Sequence, residues 1–238
     1  MIKTLVIHAK PLTERLHHME QQLKGLPMET EYILDGDKDE LTQDVIDAYL
    51  KKDCEIYKVS GATSCAIKHL MACQYIVEHG LEGALVLEDD IVLHKGFEHD
   101  FGQMLAELNH CHADKPVIIS LEDSSLQFIP RSKRKKGQWL YEAPHGRVRF
   151  NGALYINQKA AKVITDDVAA NRCDYAVDHY YVHLYEKGLL NFLWCEPALA
   201  TQGSFNGTLT SSMGRVRSFE GLRWRFKYAY KRFVYWLR

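Results

Sequence analysis

Three observations predict an α/β protein built on a mostly parallel sheet flanked by helices. Short apolar runs alternate with stretches whose apolar residues recur every three to four positions. With 238 residues and 46% hydrophobic content, the chain can bury one full core of that kind. Residues 215–238 differ from the rest in being basic, aromatic and patterned as an amphipathic helix. Two parts follow, a body over 1–214 and a tail over 215–238.

The opening Met1-Ile-Lys-Thr-Leu-Val-Ile-His8 is expected to be a core strand, its apolar run being too short for a signal peptide or membrane span. Leu12, Leu16, Met19 and Leu23 then keep helical spacing, Gly25 and Pro27 stop that helix, and Glu31-Tyr-Ile-Leu34 reads as a second strand. Residues 37–60 carry no clear period. Thr63 or Ser64 is placed to cap a helix with Ala66, Leu70, Cys73, Ile76 and Val77 on one face, closed by Gly80. Gly83-Ala-Leu-Val-Leu87 has the unbroken apolar character of a strand buried on both faces, and Pro116-Val-Ile-Ile-Ser-Leu121 is another buried-strand candidate. Gly152-Ala-Leu-Tyr-Ile156 is a further strand, followed by a helical Gln158 to Val168. Arg131 to Lys136, with five cations and no apolar period, reads as a mobile loop. The six cysteines show no CxxC or Cys/His ligand spacing, which predicts reduced, mostly packed thiols in a cytoplasmic protein.

Chemistry concentrates where the strand over 83–87 runs into Glu88-Asp89-Asp90. Three adjacent carboxylates at a strand end repel one another by a few kcal/mol per close pair at intermediate dielectric, so a positive partner is called for. Mg²⁺ or Mn²⁺ suits oxygen ligands and bridges nucleotide phosphates. Ligands of open α/β sheets also collect beyond the strand carboxyl ends. A solvated acidic turn satisfies the same pattern, so the triplet alone leaves both readings open. The usual dinucleotide, P-loop and zinc-peptidase motifs are missing, which removes their signatures from the rival functions.

The surrounding blocks resemble glycosyltransferase family 25, the bacterial lipopolysaccharide-biosynthesis transferases that include β-1,4-galactosyltransferases and are related to collagen galactosyltransferases. The resemblance covers most of residues 3–205. Val6-Ile-His-Ala-Lys-Pro-Leu-Thr-Glu-Arg15 looks like the family's nucleotide-binding "VINLxxRxxR" block, with His8 and Ala9 replacing Asn-Leu. Gly61 to His69 resembles "GExGCxxSH", keeping Gly61, Cys65 and His69 but carrying Ala62, Ser64 and Lys68. Ala84 to Ile91 is similar to "xLILEDDxx", the most specific block; Asn151-Gly-Ala-Leu-Tyr-Ile resembles "GTxAYxIS". Tyr175-Ala-Val-Asp178 looks like "PxD" without its proline, and Glu196 to Gln202 matches "PxxxxQ".

The resemblance implies a GT-A-type fold and inverting transfer of a hexose, galactose favoured, from a UDP-sugar to a lipopolysaccharide, lipooligosaccharide or other glycan acceptor, with Mn²⁺ (or Mg²⁺). It assigns Asp90 and Glu88 to the metal, Arg15, Glu88, Asp89 and His69 to the donor, and Asp178 to the general base. Asp174 would share a helical face with Asp178 if that stretch is helical. Asp178 as a helix cap and His69 as a core histidine are the structural alternatives. A non-catalytic relative, motivated by Ala62, Ser64 and Lys68, and another nucleotide-dependent metal enzyme are the rival functions.

The tail carries eight Lys/Arg against Glu220 alone, a surplus of +7 that leaves −8 for residues 1–214 within an overall −1. As a helix it lines Phe219, Leu222, Phe226, Ala229, Phe233 and Leu237 on one face, with Trp224, Tyr228, Tyr235 and Trp236 at the flanks and back. That composition fits an interfacial helix on anionic lipid, placing the enzyme on the inner face of the cytoplasmic membrane near a glycolipid acceptor. Packing of the tail on its own body is the alternative, and nucleic acid is not an expected partner.

Overall fold

The computed structural model describes residues 2–207, 209 and 220–238. The chain opens with the expected unit of β1 (Ile2–Ile7), α1 (Thr13–Leu23) and β2 (Met28–Ile33). A helix, α2 (Gln43–Tyr49), forms where the sequence shows no period, started by Thr42, whose hydroxyl accepts from Val45 N. Helix α3 (Gly61–Glu78) is capped one turn earlier than expected. Ser60 Oγ accepts from Thr63 N at 3.2 Å, while the Thr63 and Ser64 hydroxyls turn inward to the Ile56 and Gly36 carbonyls. Then follow β3 (Gly83–Glu88), β4 (Ile91–Leu93), α4 (Phe97–Cys111), β5 (Val117–Ser120), β6 (Leu140–Glu142), β7 (Ala153–Asn157) and α5 (Gln158–Asn171). The body closes with α6 (Val177–Glu186), β8 (Asn191–Cys195), β9 (Ala200–Gln202) and the short α7 (Gly203–Asn206), and α8 (Glu220–Leu237) forms the tail.

Seven strands make one sheet in the order β2-β1-β3-β7-β5-β8-β6, and β4 pairs with β9 in a small ribbon. β2, β1, β3, β5 and β8 point one way; β7 and β6 run against them. The mostly parallel sheet is therefore interrupted at its centre by β7. An apolar run buried on both faces reads the same in either direction, so the sequence pattern carries no sign of that reversal.

Alternation along the strands builds two cores. Leu5, Ile7, Ala84, Val86, Ile118 and Trp194 face α2, α3, α5 and α6. Val6, Leu85, Leu87, Ile119 and Leu193 face α4 and Met19 of α1. Helices thus cover both faces, and the carboxyl ends of β1, β3 and β5 meet the amino end of β7 at one edge. This edge is where the site lies.

Helix α8 lies on the body. Tyr235, with Trp224 and Tyr228 beside it, packs on Leu126 and Phe128. The Tyr228 hydroxyl donates to Asp123 at 2.9 Å, and Arg147 donates to the Tyr235 hydroxyl at 2.8 Å. Three of the four aromatics at the flanks and back of the helix make the contact, while Trp236 and the stripe residues Leu222, Phe226, Phe233 and Leu237 are each more than half exposed. Phe219 of that stripe lies outside the described residues. The loop expected to be mobile over 131–136 starts with a 3-10 turn, Arg131–Lys133, and is pinned: Arg134 donates to Ile129 O and pairs with the buried Glu196 at 2.9 Å.

Candidate active site

The turn after β3 sends its three acids in different directions. Asp89 is buried and fully engaged: one oxygen contacts the His8 ring at 2.9 Å and the amide of Ala9, the other the Arg15 guanidinium at 2.6 Å. Burial pushes its pKa up, yet His8 and Arg15 together hold it below the usual carboxylate value. Asp89 therefore fastens the loop between β1 and α1. Lys68, 2% exposed, clamps the same loop from α3, donating to His8 O at 2.5 Å, Leu34 O at 3.0 Å and Asp37 at 2.5 Å. His8 and Lys68, two departures from the family blocks, thus share one structural task.

Glu88 and Asp90 point the other way, into a cluster. One oxygen of Glu88 lies 3.3 Å from His69 Nε2 and 3.5 Å from Cys65 Sγ; the other accepts from Gln202 Nε2 at 3.4 Å. Cys65 and His69 stand one turn apart on α3, and the donor atoms of Cys65, His69 and Glu88 fall within 4.8 Å of one another. Asp90 sits 3.7 Å from Arg15, its carbonyl accepts from Gly203 N, and its buried Oδ1 has no hydrogen-bond partner. Glu122, two residues beyond β5, accepts from Gly152 N at 2.6 Å through one oxygen and leaves the other buried without a partner. Asp178, in the first turn of α6, accepts from Asn151 N at 3.1 Å. Both amide atoms of the Asn151 side chain are buried and unpartnered.

The acids of this cluster outnumber the one guanidinium, Arg15, that stands beside them. Burial and the charge on Glu88 push Asp178 up to about 6. Burial, again with Glu88, raises Asp90, and burial lifts Glu122 well above the ordinary carboxylate range. Buried oxygens without partners and carboxyls raised by burial and by one another are what a divalent cation relieves, so the residues fit Mg²⁺ or Mn²⁺.

The sign follows from linkage. Carboxyls raised in the fold bind more protons than in the unfolded chain between about pH 4 and 6, so the metal-free fold loses stability as pH rises through that window. Mn²⁺ should accordingly raise the melting temperature by several degrees at about pH 7.5 and by much less at about pH 5. Thermal melts at both pH values with MnCl₂ or with chelator check it; equal shifts would count against a cation in the cluster.

Of the residues singled out in the sequence, Glu88, Asp90, His69 and Asp178 converge here. Arg15 and Asp89 form the adjoining wall. Asp174 does not share a helix with Asp178, because α6 begins only at Val177; it pairs with Lys51 at 3.7 Å. His179 is exposed, and His183 meets the Tyr175 ring at a tilt, with centroids 4.7 Å apart. Glu122 was not singled out, although its signal matches the triplet's: a second apolar strand running into two acids, Glu122 and Asp123.

The description "Glycosyltransferase family 25 (LPS biosynthesis protein)" matches residues 1–181. The chain belongs to glycosyltransferase family 25. The matched span contains every carboxylate of the cluster and ends within α6. Among solved structures, the galactosyltransferase LgtC in complex with donor and acceptor sugar analogues is similar at 11% identity, over 81% of this chain and 73% of that one, with a TM-score of 0.42. Mouse xyloside xylosyltransferase 1 is similar at 12% identity over 80% and 84%, with a TM-score of 0.40. UTP-bound UGPase from Acinetobacter baumannii is similar at 12% over 92% and 71%, with a TM-score of 0.38. No curated protein matches the sequence. As a family 25 glycosyltransferase, the chain has the α/β sheet with helices on both faces and the C-terminal helix that the sequence predicts.

Proposed function

We propose that this glycosyltransferase moves a hexose, galactose favoured, from a UDP-sugar to a lipopolysaccharide, lipooligosaccharide or other glycan acceptor, with inversion and with Mn²⁺ (or Mg²⁺). The observation that carries the reading is the convergence of Glu88, Asp90, Glu122 and Asp178, of which Asp90 and Glu122 each leave a buried oxygen without a partner. Asp90 and Glu88 would hold the cation, which when bound would supply charge neutralisation for a leaving diphosphate. Asp89 and Lys68 fix the β1–α1 loop so that Arg15 stands beside Asp90. Asp178 takes the acceptor hydroxyl proton: a carboxylate tuned to about 6 is nearly all ionised at neutral pH and still basic enough to accept it. A panel of UDP-sugars, assayed for hydrolysis and transfer with Mn²⁺, tests this; absence of both turnover and binding across the panel would leave the non-catalytic relative as the better reading.

The tail, residues 215–238 with α8 as their described part, is proposed to hold the enzyme on the inner face of the cytoplasmic membrane. No helix among the described residues is long and apolar enough to cross a membrane. An exposed apolar stripe beside Arg223, Arg225, Lys227 and Arg238 supports surface attachment instead. The protein should pellet with vesicles containing anionic lipid, and removal of residues 215–238 should leave it in the supernatant. Equal recovery of both forms in the pellet removes the idea.

A further inference from the structure

Where α8 crosses the loop after Pro130, three guanidiniums converge on a cleft of about 280 Å³ lined by Arg131, Arg134, Arg232, Phe233 and Trp236. One buried carboxylate organises it. Glu196, 0% exposed on its side chain, takes Arg134 at 2.9 Å and Arg232 at 3.2 Å on one oxygen, and Arg149 at 3.2 Å on the other. Glu196 is thus shared by three guanidiniums, and Asp123 is a second carboxylate acting on Arg149, which leaves Arg134 and Arg232 with one shared carboxylate at the cleft. Arg131 adds a fourth, stacked 4.8 Å from the Trp236 ring and paired with no carboxylate among the described residues. Lys133, Lys135 and Lys136 lie on the same loop. These charges are fixed in place rather than spread over flexible side chains, because Glu196 holds Arg134 and Arg232 at their tips and Arg131 lies over the Trp236 ring. Phosphate oxygens meet such forks with paired, charge-assisted hydrogen bonds.

The walls of the cleft select among anions. Phe233 and Trp236 line it and are each more than half exposed, continuous with the apolar stripe that runs to Leu237. A phosphate with an apolar body attached satisfies both halves; a free phosphate satisfies one. We propose that this cleft is a binding site for the phosphodiester headgroup of an anionic phospholipid, seated between Arg131, Arg134 and Arg232 while Phe233 and Trp236 enter the acyl layer. The proposal rests on the membrane-attachment reading of the tail and adds to it a defined site in place of diffuse charge attraction. It also sets an orientation: the Tyr228 hydroxyl of the same helix bonds Asp123, the neighbour of Glu122, so the bound lipid lies on the side of the molecule that carries the carboxylate cluster.

The test uses the full chain and short-chain phosphatidylglycerol below its micelle-forming concentration, titrated by calorimetry, with phosphatidylcholine of equal chain length and inorganic phosphate as comparisons. Saturable one-to-one binding is expected for phosphatidylglycerol alone. Arg131→Ala should weaken it at least about tenfold, whereas Arg223→Ala, which removes an equal charge from the exposed opposite side of α8, should change it about twofold or less. Because Arg131 has no ion pair to lose, an unchanged melting temperature verifies that the fold is intact. Equal losses in the two variants would reduce the cleft to general charge attraction, and inorganic phosphate binding as tightly as phosphatidylglycerol would assign it to a soluble phosphate; either result overturns the proposal. Co-sedimentation with mixed phosphatidylcholine and phosphatidylglycerol vesicles separates the two levels. If the native chain pellets but short-chain lipid shows no saturable binding, the site fails and attachment stands; if the native chain stays in solution, both fail.

Discussion

Replacing Asp90 with asparagine should cut transfer by roughly 10²–10³-fold while raising the melting temperature of the metal-free protein. The two effects have one cause. Asp90 is buried beside Glu88, its Oδ1 has no partner, and its carboxyl is raised, so its negative charge costs the empty fold stability at neutral pH. Neutralising it removes that cost, on the order of 1 kcal/mol after allowance for solvent and relaxation, and with it the charge that would hold a cation. The adjacent acid should behave oppositely. Asp89 is lowered by His8 and Arg15, so its ionised form contributes stability that is present above the unfolded pKa and lost as pH falls. Asp89→Asn should therefore lower the melting temperature, by about 1–3 kcal/mol of stability. Thermal melts in chelator together with steady-state transfer assays give both readouts. Native turnover in Asp90→Asn, or melts that shift the same way in both variants, would show that the cluster is structural.

That opposition between neighbours marks how far the sequence reaches. The strand over 83–88 was legible because an unbroken apolar run needs cover on both faces, and its acidic end because three carboxylates cannot continue into that core. The opening β1–α1–β2 unit was legible from its change of period. Which acid faces the cluster came from the family resemblance and not from the strand pattern, since it depends on the turn after β3, on His8 just beyond the paired strand β1 and on Arg15 of α1. The reversal of β7 was hidden by its burial on both faces, and with it the approach of Asn151 and Gly152 to Asp178 and Glu122. Lys68 looked like a departure from a donor-site block, whereas in three dimensions its ammonium replaces backbone partners that the β1–α1 loop and Leu34 would otherwise lack. In α8 the apolar stripe was legible and the docking face was not. Trp224, Tyr228 and Tyr235 dock because two of them also carry hydroxyls that reach Asp123 and Arg147, whereas the side chains of the stripe have no such polar handle.

Asp178→Asn should lower kcat by about 10²–10⁴-fold with little change in donor affinity. The substitution spares the fold because the asparagine carbonyl still accepts from Asn151 N, now 3.1 Å from the carboxylate. It removes the basic oxygen and nothing else of comparable size. The pH profile supplies the reading that a positioning role would not move. A base held at about 6 makes the rate rise with pH through that region and level off above it, and an added cation shifts the rise to lower pH. In the variant the rise should vanish. Glu122 is the nearest rival, but burial raises its carboxyl well above the ordinary carboxylate range, which disfavours the ionised form a base needs. Glu122→Gln, which keeps an acceptor for Gly152 N, should therefore retain far more activity than Asp178→Asn and preserve the rising limb. If Glu122→Gln loses the limb instead, the proton goes to Glu122, and Asp178 is left with orienting the turn at Asn151.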